Sequence, residues 1–393
     1  MPVKNFAYVN KDMLIWARSE TPFVTPDDVQ LHTSGISADK LSLWESGIEF
    51  PSITEAKKLA TIYRVPLACF FLSAPPEKRI RRYTDRRTMP GTVYHDISYE
   101  LWSEIGRITA NRDKILEYTE VDKLKTITFP SIPAGATIKE SANIIRTFLG
   151  LNSPFKNKSS YKNNAFNYYR NILEHHGIIV SQISGVSLSE MKGLSIYYAS
   201  YPIVAINNKD FERAKVFSLF HELAHLFRRS SSLCMIDFDE RNDEEEKLCD
   251  RIAAETLLPD AEFRTIANKF WNIHQEWSLF CLQDIGDKFG VSSVSVLRRL
   301  YELRTLSFDT YQKIYTVLNE EFEANQEFIE QNGKNKSIPI KYYIRYLNQQ
   351  GYLFPRAILD AHSRGVITYG EMCKTLNINS KYIGDIERAV MFT

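Results

Sequence analysis

The stretch Phe217-Ser-Leu-Phe-His-Glu-Leu-Ala-His-Leu-Phe227 constrains this chain more than any other. Within it His221 and His225 stand four residues apart, and Glu222 follows the first of them. Residues i and i+4 share one face of a helix, so imidazoles at that spacing point the same way. Ala214, Phe217, Phe220, Leu223, Ala224 and Phe227 give the helix an apolar surface too broad for the outside of a domain. It is expected to run through a core. Two histidines there either pack as buried side chains or share a Zn²⁺ ion. In the second case Glu222 sits beside the metal, placed to take a proton from its bound water. The zinc reading also requires a third ligand and a group that orients an imidazole.

Candidates for both lie in Asp243-Glu-Glu-Glu-Lys-Leu-Cys-Asp-Arg-Ile-Ala-Ala-Glu-Thr-Leu-Leu-Pro259. Leu248, Cys249, Ile252, Ala253 and Thr256 recur at helical spacing, and Pro259 closes the helix. Ala253 and Ala254 are small enough for close approach to the His221 helix. Glu246 and Asp250 stand four apart, so one carboxylate is able to ligate a metal while the other holds a ligand imidazole. Glu244 and Glu245 suit an acidic first turn, which the helix dipole favours. Spacing alone does not separate Glu245 from Glu246.

Together the two motifs, His221 to His225 and Glu246-x-x-Cys-Asp-x-Ile-Ala-Ala-x-x-Leu-Leu-Pro259, resemble those of the ImmA/IrrE family of metallopeptidases. The second motif of that family reads roughly E-x-x-A-N-x-F-A-A-x-L-L-x-P. Aligned on Ala253-Ala254 and Pro259, Glu246 takes the third-ligand position, and Cys249 and Asp250 replace the usual Ala and Asn. An Asp four residues after the ligand Glu is also what the wider glutamate-zincin class places behind a zinc histidine. The resemblance thus implies a zincin-like core with Zn²⁺ on His221, His225 and Glu246, Glu222 as general base, and Asp250 behind a ligand histidine. It implies an endopeptidase whose substrate is a partner transcriptional repressor. Large helix-turn-helix fusions of the family often sit beside a toxin gene, which gives an alternative: an antitoxin that binds a partner protein and its own operator. A third alternative is a DNA-binding regulator whose zinc only stabilises the fold. Glu222 argues against that one, because a structural site needs no base.

The remaining sequence supplies context. At 393 residues the chain is long enough for two or three domains. It shows no signal-peptide pattern and no 18-residue apolar run, so neither secretion nor membrane spanning is expected. Its five cysteines, Cys69, Cys234, Cys249, Cys281 and Cys373, are scattered and odd in number, with no C-x-x-C pair. They read as reduced thiols, and a cytoplasmic protein is expected. A net charge of +1 gives no global attraction to nucleic acid.

Residues 11 to 73 read as five short helices. Thr25-Pro26-Asp27-Asp28 opens the second, and Gly35-Ile36-Ser37 forms a turn and cap before the third. With Trp44-Glu45-x-Gly47-x-x-x-Pro51 and Leu59-Ala60-x-Ile-Tyr63, this resembles a phage-repressor-type helix-turn-helix domain. Its presumed recognition helix offers Ser37, Ala38, Lys40 and Ser42, a weak DNA-reading set with one cation. Six Lys/Arg against eight Asp/Glu leave this region at net −2. Phosphate contacts carry most DNA affinity, so operator binding is expected to be weak. Lys78-Arg-Ile-Arg-Arg82 and Arg86-Arg87 form a basic stretch that either adds phosphate contacts or is a solvated linker.

An amphipathic helix is expected from about 97 to 118, and Thr137-x-x-Glu140 is a capping box for another. A helix near Ala165 to His176 ends at Gly177, and its terminal histidines suit the helix dipole without a catalytic role. Ile178 to Val180, Gly193 to Tyr198 and Pro202 to Ile206 are β-branched and aromatic runs, read as a small antiparallel sheet. By the resemblance, Gly193, Leu194, Ser195 and Ile196 form an edge strand beside the metal that pairs with an extended substrate. Tyr197, Tyr198 and Tyr201 are nearby candidates for a transition-state donor, none singled out. After Pro259 the chain reads as helical throughout. Leu282 to Leu300 resembles a second helix-turn-helix-like element, in which Arg298 and Arg299 invite either a DNA reading or a role in a structural three-helix module.

The expected fold is therefore helix-rich α+β: a zincin-like core with a small antiparallel sheet, flanked by helical domains. Expected boundaries are a helix-turn-helix domain at 1–76, a basic linker at 77–96 and a metallopeptidase domain at 97–265. A helical helix-turn-helix-like module at 266–332 and a helical tail at 333–393 follow.

Overall fold

A computed structural model describes residues 5–76, 97–119, 130–151, 165–229, 232–234, 243–274, 276–320 and 341–391. The basic stretch Lys78 to Arg87 and the glycine-led segment Gly333 to Ser337 lie outside the described residues. The chain divides into two compact units, residues 1–106 and 107–393.

In the first unit, α1 (Lys11–Ser19), α2 (Pro26–Leu31), α3 (Ala38–Ser46) and α4 (Ile53–Ile62) precede a 3₁₀ turn at Leu67–Phe71. Local chemistry fixes their ends. Thr25 and Asp28 form a reciprocal capping box with Pro26 at the first helical position, and Ser52 and Glu55 form another. Ser37 caps α3, and Gly47 ends it with φ near 78°, a left-handed conformation that glycine adopts without strain. Leu14, Val29, Leu41, Trp44, Leu59 and Phe70 anchor the core of this unit. The division between units falls inside α5 (Tyr99–Tyr118).

The second unit contains α6 (Ile138–Phe148), α7 (Ala165–His175), β1 (Ile179–Ile183), β2 (Gly193–Ile196) and β3 (Ile203–Asn207). The central helix α8 (Glu212–Phe227), a short β4 (Ser232–Cys234) and α9 (Asp243–Leu257) follow. Then come α10 (Asp260–His274), α11 (Leu279–Phe289), α12 (Ser293–Glu302) and α13 over 308–320. Four more helices, α14 (Tyr342–Gln350), α15 (Leu353–Ser363), α16 (Tyr369–Leu376) and α17 (Ile383–Met391), complete the described residues. Among these residues no helix is long and apolar enough to cross a membrane.

The sheet order is β1-β3-β2-β4. It is mixed, which corrects the antiparallel expectation: β1 and β3 pair in parallel, Ile179 opposite Ile203, while β2 runs antiparallel to β3 and to β4. Every residue of β1 and β3 is buried, as a sheet covered on both faces requires. A short apolar run carries no mark of its direction, which is why the sequence does not reveal the parallel pair. The expected edge strand is also corrected. Gly193, Leu194 and Ser195 pair with Ile206, Ala205 and Val204 on one side and with Cys234, Leu233 and Ser232 on the other. β2 is therefore interior over those residues; only its last residue, Ile196, pairs on the β3 side alone.

Helix α8 is buried along most of its length, with Leu219, Phe220, Leu223, Ala224 and Phe227 fully enclosed between the sheet and helices α7 and α9. Burial of this kind contributes about 1.5–3 kcal/mol for each large side chain. The C-terminal helices are held to the same unit by buried polar groups. Arg170 donates to the carbonyls of Leu347 and Asn348 at 3.2 and 3.0 Å, and the Glu174 carboxylate accepts from the Tyr352 amide at 3.0 Å. Gly351 has φ near 77° and lies against Glu174 and the Val180 carbonyl, so a side chain there is excluded by conformation and by space.

Candidate metal centre

α8 and α9 pack against each other, and Ala253 and Ala254 of α9 are small and nearly solvent-free. Across that contact the side chains of His221, His225 and Glu246 converge. His221 Nε2 lies 3.2 Å from His225 Nε2 and 3.0 Å from Glu246 Oε2, and His225 Nε2 lies 3.4 Å from Glu246 Oε1. A tetrahedral ion bound at about 2.0–2.1 Å separates its ligands by about 3.3 Å. The donor triangle matches that spacing, and its two imidazoles and one carboxylate are a donor set that zinc accepts.

The other ring nitrogens are also engaged. His221 Nδ1 is 2.8 Å from Asp250 Oδ1, while Asp250 Oδ2 accepts from Arg298 Nη2 at 2.8 Å. Arg298 in turn lies 3.3 Å from Glu302. His225 Nδ1 faces Cys249 Sγ at 3.5 Å. Glu245 holds Arg228, at the end of α8, through two bonds of 2.6 and 2.7 Å, with a carboxylate oxygen within 4.8 Å of ligand atoms of His225 and Cys249. Packing distinguishes the two: Glu246 contacts both imidazoles, and Glu245 ties α8 to α9 through Arg228.

The electrostatics describe a place for a cation. Burial works against charging His221, yet its hydrogen bonds to the Asp250 and Glu246 carboxylates push its pKa up to about 10. Burial likewise opposes ionisation of Glu246, but bonds from His221 and His225 hold its carboxyl well below the usual range. Asp250 is kept low against burial by His221 and Arg298. Without an ion, a proton on His221 offsets the surrounding carboxylates. Burial pushes the Cys249 thiol well above its ordinary value, so it faces His225 as a neutral S–H group.

Glu222 projects from the same helix next to the ligand pair, 1% exposed, and lies against Gly193 of β2. The remaining candidates sit elsewhere. Leu194 and Ser195 are buried within β2, and Ile196 is half-buried. Tyr198 stacks beneath the Arg112 guanidinium, 3.6 Å from its ring centroid, and Arg112 also holds the Ser200 and Tyr201 carbonyls. Tyr197 packs against the core. His175 and His176 each turn Nδ1 to a carbonyl of their own helix.

In the first unit, Ser37 is the α3 cap and Ala38 is half-buried, while Lys40 and Ser42 are exposed. Lys40 lies 3.4 Å from Glu55. Arg18, Lys58 and Arg64 are also engaged, with Glu45, the Ser34 carbonyl and Ser103.

Two residues around the candidate ligand set, Cys249 and Arg298, have no such role in the sequence reading. Cys249 is detectable as a departure from the motif one helical turn from Glu246. Arg298 carries no such signal, since its partner lies 48 residues away.

Residues 173–301, about a third of the chain, match the Peptidase_M78 family model, described as the IrrE N-terminal-like domain; the family is one of metallopeptidases. The matched span runs from the end of α7 through α12 and contains the sheet, the helices α8 and α9 that carry the candidate ligands, and Arg298. No curated protein matches the chain, and no solved structure does either.

Proposed function

We propose that the chain is a zinc-dependent endopeptidase that cleaves a partner transcriptional regulator. The observation that carries this reading is the convergence of His221, His225 and Glu246 from two helices, with Glu222 beside them. The match of residues 173–301 to a metallopeptidase family supports it. His221 and His225 would hold the ion through Nε2, and Glu246 would hold it through its carboxylate. When bound, zinc lowers the pKa of a coordinated water and polarises the scissile carbonyl. Glu222 takes the proton of the attacking water and returns it to the leaving amine. Asp250 fixes the His221 ring with Nε2 toward the ligand point, and Arg298 keeps Asp250 ionised and aimed. The buried surroundings of Glu222 strengthen each of these interactions.

One observation favours a second reading. The β2 backbone nearest Glu222 is already paired with β4, so the edge that an extended substrate would join is taken. A protein that acts by occupancy, an antitoxin binding its partner, needs no such edge. Operator DNA enters only weakly into either reading, because four of the six cations at 11–73 are engaged within their own unit and that region is net acidic.

The two readings separate when the product of the neighbouring gene is co-expressed with this chain. The peptidase predicts fragments cut at one or a few positions with wild type, and intact partner held in a stable complex by Glu222→Gln. Equal neutralisation of the partner by wild type and Glu222→Gln, without fragments on intact-mass measurement, leaves the binder.

A further inference from the structure

We propose that Gly193 is a positioning residue for Glu222: the absence of a side chain on β2 sets where the base's carboxylate stands. The inference rests on the peptidase reading for its consequence, but its steric basis is independent of it. A Cβ built on Gly193 would lie 2.8 Å from Glu222 Oε1, 3.0 Å from its Cγ and 3.2 Å from its Cδ. The three nearest atoms all belong to one side chain, and none is backbone. Gly193 also lies outside the left-handed region, unlike Gly351, so backbone conformation does not call for glycine here. What remains is the space that Glu222 fills.

Neither element is free to retreat. Asn207, fully buried, donates its amide NH₂ to the carbonyls of Val186, Ser187 and Met191 at 3.3, 3.2 and 2.8 Å. Its backbone N–H donates to the Lys192 carbonyl at 2.9 Å, one residue before Gly193. β2 is then registered against β3 and β4 at Gly193 itself. On the other side, Phe220, Leu223 and Ala224 lock α8 into the core with no solvent exposure. A methyl group at 193 therefore acts on the one soft component, the carboxylate end of Glu222. Relieving a 2.8 Å contact to an ordinary 3.4 Å moves that group by roughly 0.6 Å. Misplacement of a catalytic group by about 1 Å costs on the order of 10²-fold in rate. The metal ligands, by contrast, do not touch the added methyl group among its three nearest neighbours.

Two measurements on the full chain test this. The first is a double-mutant cycle in thermal unfolding, which needs neither metal nor turnover. Gly193→Ala is expected to lower Tm when Glu222 is present and to leave it unchanged in the Glu222→Ala background. An equal drop in both backgrounds shows that the sheet, not Glu222, resists the methyl group, and overturns the proposal. The second compares cobalt-substituted wild type, Gly193→Ala and Glu222→Gln by the pH profile of their visible spectra. Gly193→Ala is expected to retain one metal per chain and to shift its profile toward that of Glu222→Gln, with kcat on the partner falling about 100-fold at unchanged KM. A wild-type profile in Gly193→Ala, with Glu222→Gln distinct, overturns the positioning role and leaves the peptidase reading intact. Identical profiles in all three overturn both, because Glu222 then does not sense the metal.

Discussion

Behind His225 stands a thiol. The ring's Nδ1 has Cys249 Sγ at 3.5 Å, where His221 has the stronger carboxylate of Asp250 at 2.8 Å. Groups behind a ligand histidine typically change metal affinity by about 10–100-fold when removed. Asp250→Ala is expected at the upper end of that range and Cys249→Ala near tenfold, with Cys249→Ser close to wild type because a hydroxyl also accepts from an imidazole N–H. Competition with a chromophoric chelator measures all three. Wild-type affinity in both Cys249→Ala and Asp250→Ala contradicts the assigned hydrogen bonds. Zinc binding should also strengthen with pH. With its pKa raised to about 10, His221 must release a proton before its Nε2 can hold a metal.

At the scale of elements, α12 serves α9. Arg298 bonds Asp250, and Arg299 bonds Glu255 and the Leu258 carbonyl at the end of the same helix. Removing Arg298 is therefore expected to weaken zinc binding through Asp250. Arg298→Ala should lower affinity severalfold and Arg298→Lys recover part of it, whereas a DNA role predicts altered duplex binding with unchanged zinc affinity. A second prediction concerns the seating of α14 and α15 on α7. Burial pushes the Glu174 carboxyl up to about 7, against the pull of Arg170, the Tyr352 amide, Arg356 and the Leu353 amide. Its folded pKa exceeds its unfolded value, so its contribution to stability is complete below about pH 4.5 and is lost as pH rises through about 7. Across that window the second structural unit should become progressively easier to unfold, and Glu174→Gln should flatten that dependence. An unchanged slope in Glu174→Gln contradicts the assignment.

At the scale of the whole molecule, the features readable in the sequence are those that lie close along the chain. His221, Glu222 and His225 share one helix, and Glu246 and Asp250 another, so spacing exposes the set before any packing is known. Helix caps at Thr25, Ser37 and Thr137 are legible for the same reason, since each closes within three residues. Long-range pairings are not. The parallel β1–β3 ladder, the covering of β2 by β4, and the bond from Arg298 to Asp250 depend on which surfaces meet, and no residue type announces them. Gly193 shows the limit most sharply: its glycine is visible as a strand feature, but its meaning lies in a carboxylate from another element.

Metal content most directly tests whether two helices deliver three ligands to one ion. Elemental analysis of the purified chain should find about one zinc per molecule. His221→Ala, His225→Ala and Glu246→Ala should each deplete it, while Glu222→Gln should retain it, because Glu222 lies beside the ligand set and outside it. Equal zinc in wild type and the His221→Ala/His225→Ala double variant contradicts the metal centre and everything built on it.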